Sequence, residues 1–508
     1  MNRRASEYKP LLFTTTMRNP ERLKWFLGVL KNYDRQVLAN ELAEEISGEL
    51  IRIGLYKPTR LTKTIKNKIN EKSPLTDKEV AKVLKDNPQN HKEAGFNKGW
   101  PSRFDTWFKL AKELGFVFYE IGKPIRFSEI GLKLVDSNHP EFEQQAFLNA
   151  FVKYQSNNPF RRVLNENVPL ILLLQVIKRL NEDKNFNNTG ISRLEIPLVI
   201  YWKDSDAEKL YVRIKQLRKR FGYSPSMEVI SEICRDEIMQ GTDIVRDNES
   251  IMTDYPDEFV RKMRLTGLIS LRGGGRFIDI NKNEQAKVDY VLKTYAKYEK
   301  YDSEEKYFEY ISKVDQNLVS VLTKSVTVEE QDKYLKKWIK VYPWETIKTE
   351  MLNLGGRQLT NDEILKYLSN PIRLEFLTAL AIKSKFPKVK VIPDYPVDDE
   401  GIPTATAAGT GNTGDIECYE NVNGILIEVT MSEGRTQTMM EVWPIVRHLE
   451  EFGKKAKSSM CYFVAPSIFS DSLRQIEFVK KTDGLFIAPK TIEEFIKHLD
   501  ESEVLYSL

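Results

Sequence analysis

Gly414-Asp-Ile-Glu-Cys-Tyr-Glu-Asn-Val-Asn-Gly-Ile-Leu-Ile-Glu-Val-Thr430 decides how the C-terminal part of this chain folds. β-Branched and aromatic residues on either side of Glu420–Gly424 predict the two strands of a hairpin. Asp415 opens the first strand and Glu428 lies near the end of the second. Directly opposed residues hold their Cβ atoms ~4.5–5.5 Å apart, so pairing Asp415 with Glu428 lets two carboxylates share one cation. That pairing predicts a Glu420–Asn423 loop, with Gly424 free to take a positive φ. A turn on Asn423-Gly424 would instead pair Glu428 with Tyr419 and leave Asp415 about 13 Å along the strand. The chemistry therefore selects the longer loop. Parity puts Ile425, Ile427 and Val429 on one face, and Leu426, Glu428 and Thr430 on the other. An acid inside an apolar strand is costly to bury unless it is paired or metal-bound. Taken alone, the pattern also fits a salt-bridged surface strand.

The flanking sequence strengthens the buried alternative. Strands and helices alternate from Leu359 onward. A helix runs from Asn370/Pro371 through Lys385 and carries Glu375. Another spans about Thr436–Lys457 and carries Glu441 and His448, seven residues or two helical turns apart. Met460–Ala465 and Gly484–Ile487 read as strands, Asp471–Val479 and Ile492–Leu499 as helices. This is an α/β layer order with a partly parallel sheet. Asp415, Glu428, Glu441, Glu375 and His448 can then converge on one sheet edge. An oxygen-lined pocket of this kind suits Mg²⁺, a water to activate and a phosphodiester to cleave.

Composition restricts the alternatives. The chain has 508 residues, enough for several domains each with its own core. It holds 41% hydrophobic and 30% charged residues, as soluble globular proteins do. The longest apolar run, Val168–Ile177, is too short to span a bilayer, and Met-Asn-Arg-Arg-Ala-Ser-Glu lacks the apolar core of a signal peptide. Three scattered cysteines suit a reducing cytoplasm, and with four histidines they argue against zinc. Residues 1–70 hold 14 Lys/Arg against 7 Asp/Glu, a basic segment suited to a polyanion.

The N-terminal part repeats one pattern. Residues 18–47 read as helical, with Asn19 as N-cap and Pro20 at the first helical position. Phe104–Leu114 is an amphipathic helix, Gly115 ends it, and strands flank Gly122-Lys123-Pro124. The order returns at Asp254–Asn281, where a helix with Arg261, Lys262 and Arg264 ends at Gly267. A hairpin follows, with Arg272 and Arg276 around a triple-glycine tip. Helix, glycine and hairpin form the second half of a winged helix, which can place the helix in a DNA groove and the hairpin on phosphates. Scaffolding winged helices exist as well. Val163–Leu180 is a core helix, Gly190-Ile-Ser-Arg opens a small helical unit, and the Arg213–Arg220 cluster is most simply a solvated helix face. Residues 286–355, rich in Tyr, Lys and Glu, form a helical connector.

The whole reads as a multidomain α+β protein. Residues 1–285 form a winged-helix-type DNA-recognition region, 286–355 a helical linker, and 356–508 an α/β catalytic domain. Gly414-Asp-Ile-Glu with Ile427-Glu-Val-Thr430 resembles the PD-(D/E)XK nuclease motif, with Thr430 where the motif usually has Lys. The longer string is Thr406-Ala-Ala-Gly409, Asp415, Glu428, Thr436-Gln437, Met440-Glu441, Pro444 and Arg447-His448. It resembles the AlwI family of type IIS restriction endonucleases, which includes site-specific nickases. Arg18-Asn-Pro-Glu-Arg, Gly115-Phe-Val-Phe and Arg264-Leu-Thr-Gly-Leu extend the resemblance over most of the chain.

The resemblance implies an Mg²⁺-dependent enzyme that binds a short asymmetric duplex sequence and cuts a few bases outside it. It implies that Asp415 and Glu428 bind the metal, with the Val429 carbonyl completing the shell. Glu441 would hold metal-bound water or replace the missing Lys, Glu375 would complete the acidic cluster, and His448 would orient water or phosphate. Paired nuclease domains or a small partner subunit would assist cleavage. A strand-specific nicking enzyme, the large subunit of a two-chain enzyme, and a DNA-binding protein with an inactive nuclease domain are the alternatives.

Overall fold

The computed structural model describes residues 17, 20–70, 73–136, 140–186, 189–240, 248–404 and 413–506; Arg18, Asn19 and Thr406–Gly409 lie outside the described residues. Near the start, α1 (Leu23–Lys31), α2 (Asn40–Arg52) and α3 (Trp100–Glu113) close around aromatic side chains. Phe26 meets the edges of Trp107 and Phe108 at 6.1 Å. Gly115 follows with φ +74°, then β1 (Val117–Phe118) pairs antiparallel with β2 (Arg126–Phe127). Helix, glycine and hairpin thus occur in the expected order. However, α3 buries residues on nearly every face, and its Lys109 and Lys112 pair with Glu93 and Glu304. A helix so enclosed is core, not a free edge for a DNA groove.

The second copy of the pattern is built into a sheet. The apolar helix α4 (Pro169–Glu182) is core, as expected. After it, Ile191–Ser192 forms β3, and the expected small helical unit opens directly behind it: Ser192 caps a 3₁₀ turn, Arg193–Glu195, that runs into a short helix, Ile196–Tyr201. A Cβ on Gly190 would lie 2.4 Å from the Ile278 carbonyl, so only glycine lets these strands approach. The helix α5 (Tyr255–Arg264) leads through Gly267 to β4 (Ile269–Arg272) and β5 (Phe277–Ile280), in the antiparallel order β3-β5-β4. The Arg213–Arg220 cluster is solvated only in part, at the exposed Lys219 and Arg220. Arg218 is buried in a bidentate pair with Glu195, while Arg213 and Lys215 pair with Glu237 and Asp183.

The connector is helical as expected. Its last helices, α6 (Val328–Val341) and α7 (Trp344–Gly355), pack on α8 (Asn370–Lys385) and so belong to the C-terminal layer. The sheet of that layer consists of β6 (Lys390–Pro393), β7 (Ile416–Glu420), β8 (Asn423–Val429), β9 (Ser458–Ala465) and β10 (Ile487–Thr491), in that order. β6, β7 and β8 are antiparallel, and β8, β9 and β10 parallel. Between these strands run α9 (Arg435–Met440), α10 (Val442–Gly453) and α11 (Ser470–Asp483), with α12 (Ile492–Glu501) after β10. Parity sorts β8 as expected. Ile425, Ile427 and Val429 join the large core with α8 and α12, while Leu426 faces Val442, Ile445 and Leu449 of α10.

The hairpin loop is tighter than expected. Glu420 pairs with Asn423, so the turn is Asn421-Val422, and Asn421 takes the positive φ of 58°. Asparagine tolerates that conformation. Gly424 lies in the strand, where a Cβ would come within 2.7 Å of Ala456 and Phe452. The expected register survives, because Ile416 opposite Ile427 puts Asp415 opposite Glu428.

Segment 394–404 docks on α5 and β4. Arg264 donates to the Pro403 carbonyl at 3.0 Å and lies 3.6 Å from Asp398. Arg272 is clasped by Asp279 at 2.6 Å, by Asp399 at 2.8 Å and by Glu400. One glycine of the exposed triple-glycine tip is packed as well: a Cβ on Gly275 would meet the Glu363 carbonyl at 2.8 Å. Among the described residues, no helix is long and apolar enough to cross a membrane.

Removing one partner from a buried charge cluster strands the others. Arg272→Ala should therefore cost about 3 kcal/mol, read as a lower urea midpoint and faster proteolysis within 394–404. An unchanged midpoint would show that the clasp contributes nothing.

Candidate active site

The acids expected at the sheet edge meet in a cleft of about 850 Å³. Asp415, Glu428, Val429, Glu441 and His448 all line it, together with Thr430. Backbone register brings the first pair together. The Val429 N–H donates to Asp415 Oδ2 at 2.8 Å, which fixes that carboxylate against the end of β8. Gly414 precedes it of spatial necessity, since a Cβ there would lie 2.4 Å from Leu426 Cδ1 and 2.7 Å from Glu428 Oε1.

The helix α10 supplies the far wall. His448 Nδ1 lies 2.8 Å from Glu428 Oε1. The Thr430 hydroxyl donates to Glu441 Oε1 at 2.9 Å, so Thr430 orients an acid and adds no charge. The loop between them is pinned by Gln437, whose buried amide reaches Ser432 and Ser467 carbonyls and accepts from the Phe469 N–H. Sequence reasoning assigns Gln437 no role beyond membership of the family string. A polar amide in the first turns of a short helix is the available signal.

Glu375 does not line the cleft. It is fully buried on α8, and neither of its oxygens has a hydrogen-bond partner among the described residues. Thr378 Oγ1 and the Tyr395 hydroxyl are likewise buried and unpartnered there. The β6–β7 connection contributes Asp394, whose N–H donates to the Asp415 carbonyl at 2.9 Å. Sequence reasoning misses Asp394, Thr378 and Tyr395; the acid just beyond β6 is the legible hint.

Electrostatics tie the cluster together. Burial holds the Glu375, Asp415 and Glu428 carboxyls well above the usual carboxylate range, and their neighbours add to it. Glu428 and Glu441 repel Asp415, Glu441 and Asp394 repel Glu428, and Asp415 and Glu428 repel Glu375. The Val429 N–H and His448 work in the opposite direction at Asp415. Like-charged acids gathered in an apolar wall are a cation site in waiting.

Among the described residues, no three His, Cys, Asp or Glu side chains form a ready metal cage. Oxygen-ligated cations such as Mg²⁺ typically take one or two carboxylates plus waters and substrate phosphates. Asp415, Glu428 and the Val429 carbonyl provide oxygen donors of that kind, with the orphaned Glu375 carboxylate behind them.

The expected DNA-binding cations are distributed differently. Arg261 lines the same cleft, and Arg276 sits exposed at the hairpin tip. Lys262 is fully buried beside Glu258, Arg264 is held by Pro403 and Asp398, and Arg272 lies in its carboxylate clasp. These three cations satisfy internal acids, so the structure corrects their assignment as exposed DNA contacts.

The family model described as AlwI restriction endonuclease matches residues 112–341 and 310–498. No curated protein matches the chain. The small subunit (R.BspD6I2) of the heterodimeric restriction endonuclease R.BspD6I is 26% identical over 30% of this chain and 78% of its own, with a TM-score of 0.26. Restriction endonuclease FokI is 11% identical over 98% of this chain and 96% of its own, with a TM-score of 0.26. FokI bound to DNA is 12% identical over 97% and 95%, with a TM-score of 0.24. The family match runs through both the N-terminal region and the acidic cleft, and the chain therefore belongs to the AlwI restriction endonuclease family, as a site-specific DNA nuclease.

Proposed function

We propose that the chain is a type IIS endonuclease that recognises a short asymmetric duplex sequence through residues 1–285 and hydrolyses phosphodiesters a few bases away in the 415–448 cleft. The observation that carries this reading is the register that opposes Asp415 to Glu428 inside a cluster of mutually repelling acids. Its two helix–hairpin units are read as winged-helix-type modules, residues 286–355 as the link, and 356–508 as a PD-(D/E)XK-like nuclease domain.

Asp415, Glu428 and the Val429 carbonyl would hold Mg²⁺, which when bound lowers the pKa of a water and offsets phosphate charge. His448 positions Glu428 through Nδ1 and fixes which carboxylate oxygen faces the cleft. Glu441, held by Thr430, orients the attacking water and can take up its proton. Glu375 backs the cluster from the core and completes the group of acids. Arg261 and Arg276 remain available to DNA.

Asp415→Asn and Glu428→Gln should each lower cleavage by more than about a hundredfold while leaving DNA affinity intact. Loss of binding along with cutting would refute the assignment. Gel analysis of plasmid products also separates the variants of this reading. Nicked circles mark a strand-specific enzyme or the large subunit of a two-chain enzyme; linear product marks paired nuclease domains.

His448→Ala should reduce cleavage by about 10–100-fold and raise the Mg²⁺ concentration needed for half-maximal rate. An unchanged Mg²⁺ dependence would remove His448 from the site.

The acid cluster also sets a pH dependence. A carboxyl whose folded pKa is raised binds more protons folded than unfolded between the two values, so metal-free stability falls as pH rises through that window. A bound cation reverses the repulsion. Mg²⁺ should therefore raise the melting temperature more at about pH 8 than at about pH 6, and chelator should abolish the rise. Asp415→Asn should lack it. An equal rise at both pH values would contradict the cluster as the binding site.

A further inference from the structure

The acidic cleft has a basic end made by three separate parts of the chain. Arg261 comes from α5 in the N-terminal region, Lys366 from the turn before α8, and Arg373 from the first helical turns of α8. All three line the same cleft as Asp415 and Glu428.

Three cations here, Lys366, Arg193 and Arg261, share two acids, since Glu363 also pairs with Lys366 at 3.0 Å and with Arg193. Asp257 serves Lys366 at 3.0 Å, Arg193 at 3.4 Å and Arg261 at 3.5 Å, and accepts from the Tyr367 hydroxyl as well. Arg373 is 5% exposed, its Nη2 donates to Asn370 at 3.2 Å, and its buried Nε has no partner among the described residues. Glu350 is the acid that offsets it, while Arg261 lies close enough to repel it. Two guanidiniums held near one another, one with an idle donor, call for a further anion.

The helix itself points the same way. The first turn of α8 carries no acidic residue, and Ser369, Asn370 and Pro371 line the cleft. Over its 16 residues the backbone dipoles place partial positive charge at that end. A single tetrahedral dianion or phosphodiester could receive the idle Arg373 N–H and the charge of Arg261 and Lys366 together.

We propose that Arg261, Lys366 and Arg373, with the N-terminal turn of α8, form a clamp for one backbone phosphate of the strand being cut, near the scissile phosphate. The inference rests on the nuclease reading and adds to it. A clamp fed by both the recognition region and the nuclease layer sets the distance between the bound sequence and the cut. The grip is on charge, so it is indifferent to base identity.

The test uses the full chain and a duplex spanning a cleavage position mapped from plasmid ends. Without divalent metal, affinity is measured against salt for wild type, Arg373→Gln, Arg261→Gln, Lys366→Gln and the three combined. The three substitutions combined should reduce the slope of log affinity on log salt by about 0.9, the value for one neutralised phosphate, and each alone should remove a measurable part of that. A single neutral methylphosphonate near the cut should weaken wild-type binding and have no further effect on Arg373→Gln.

Wild-type slopes in all three variants would overturn the clamp, as would an equal methylphosphonate effect in wild type and Arg373→Gln. Should Arg373→Gln fail to fold, Arg261→Gln, Lys366→Gln and the methylphosphonate scan of wild type decide the matter. Asp415→Asn separates the two readings, since it should stop cutting with the salt slope unchanged. A protein that shows the slope changes yet cuts no DNA would retain the clamp and lose the nuclease.

Discussion

The repulsion between carboxylates at the end of β8 is the constraint around which the C-terminal layer is built. A five-stranded sheet with apolar cores on both faces has little tolerance for acids near its centre. Here the antiparallel register fixes Asp415 against Glu428, and neighbouring elements add Glu441, Asp394 and Glu375. Among the described residues, no lysine or arginine offsets Glu375, Asp415 or Glu428 in the way that Arg218 offsets Glu195 or Arg161 offsets Glu113. The two kinds of buried acid serve different ends. Glu113 and Glu195 complete internal ion pairs, while burial and mutual repulsion hold the β8 carboxyls above the usual carboxylate range.

That contrast extends to the cations. Arg264 and Arg272 face acids of segment 394–404 and join the N-terminal region to the C-terminal layer. Arg261, about one helical turn before Arg264 on the same helix, faces the cleft instead. One short helix thus divides its charge between an internal junction and the wall of the cleft.

Much of the C-terminal layer is legible in the sequence because strand parity and charge repulsion act over short stretches. Leu426, Glu428 and Thr430 can share a face only one way, and an Asp415–Glu428 pair can share a cation only in one register. The turn differs from expectation because asparagine can take the positive φ that glycine usually supplies, and Asn421 does so. The fate of Lys262, Arg264 and Arg272 is not legible. A sequence displays a charge but not its partner, and the groups of segment 394–404 that claim Arg264 and Arg272 lie more than a hundred residues away. The burial of α3 is partly visible in Phe104, Trp107, Phe108, Leu110 and Ala111, which cover more than one side of a helix. Glu375 falls on its expected helix, but its depth behind the cleft depends on packing of α6, α7 and α12 that no local pattern encodes.

Gly414 shows how little sequence freedom this arrangement leaves. Its backbone needs no unusual torsion, yet even a methyl group would collide with Leu426 and with an oxygen of Glu428. Random substitution at this codon followed by selection for DNA cutting should favour glycine, because any larger residue must displace Leu426 and the Glu428 carboxylate.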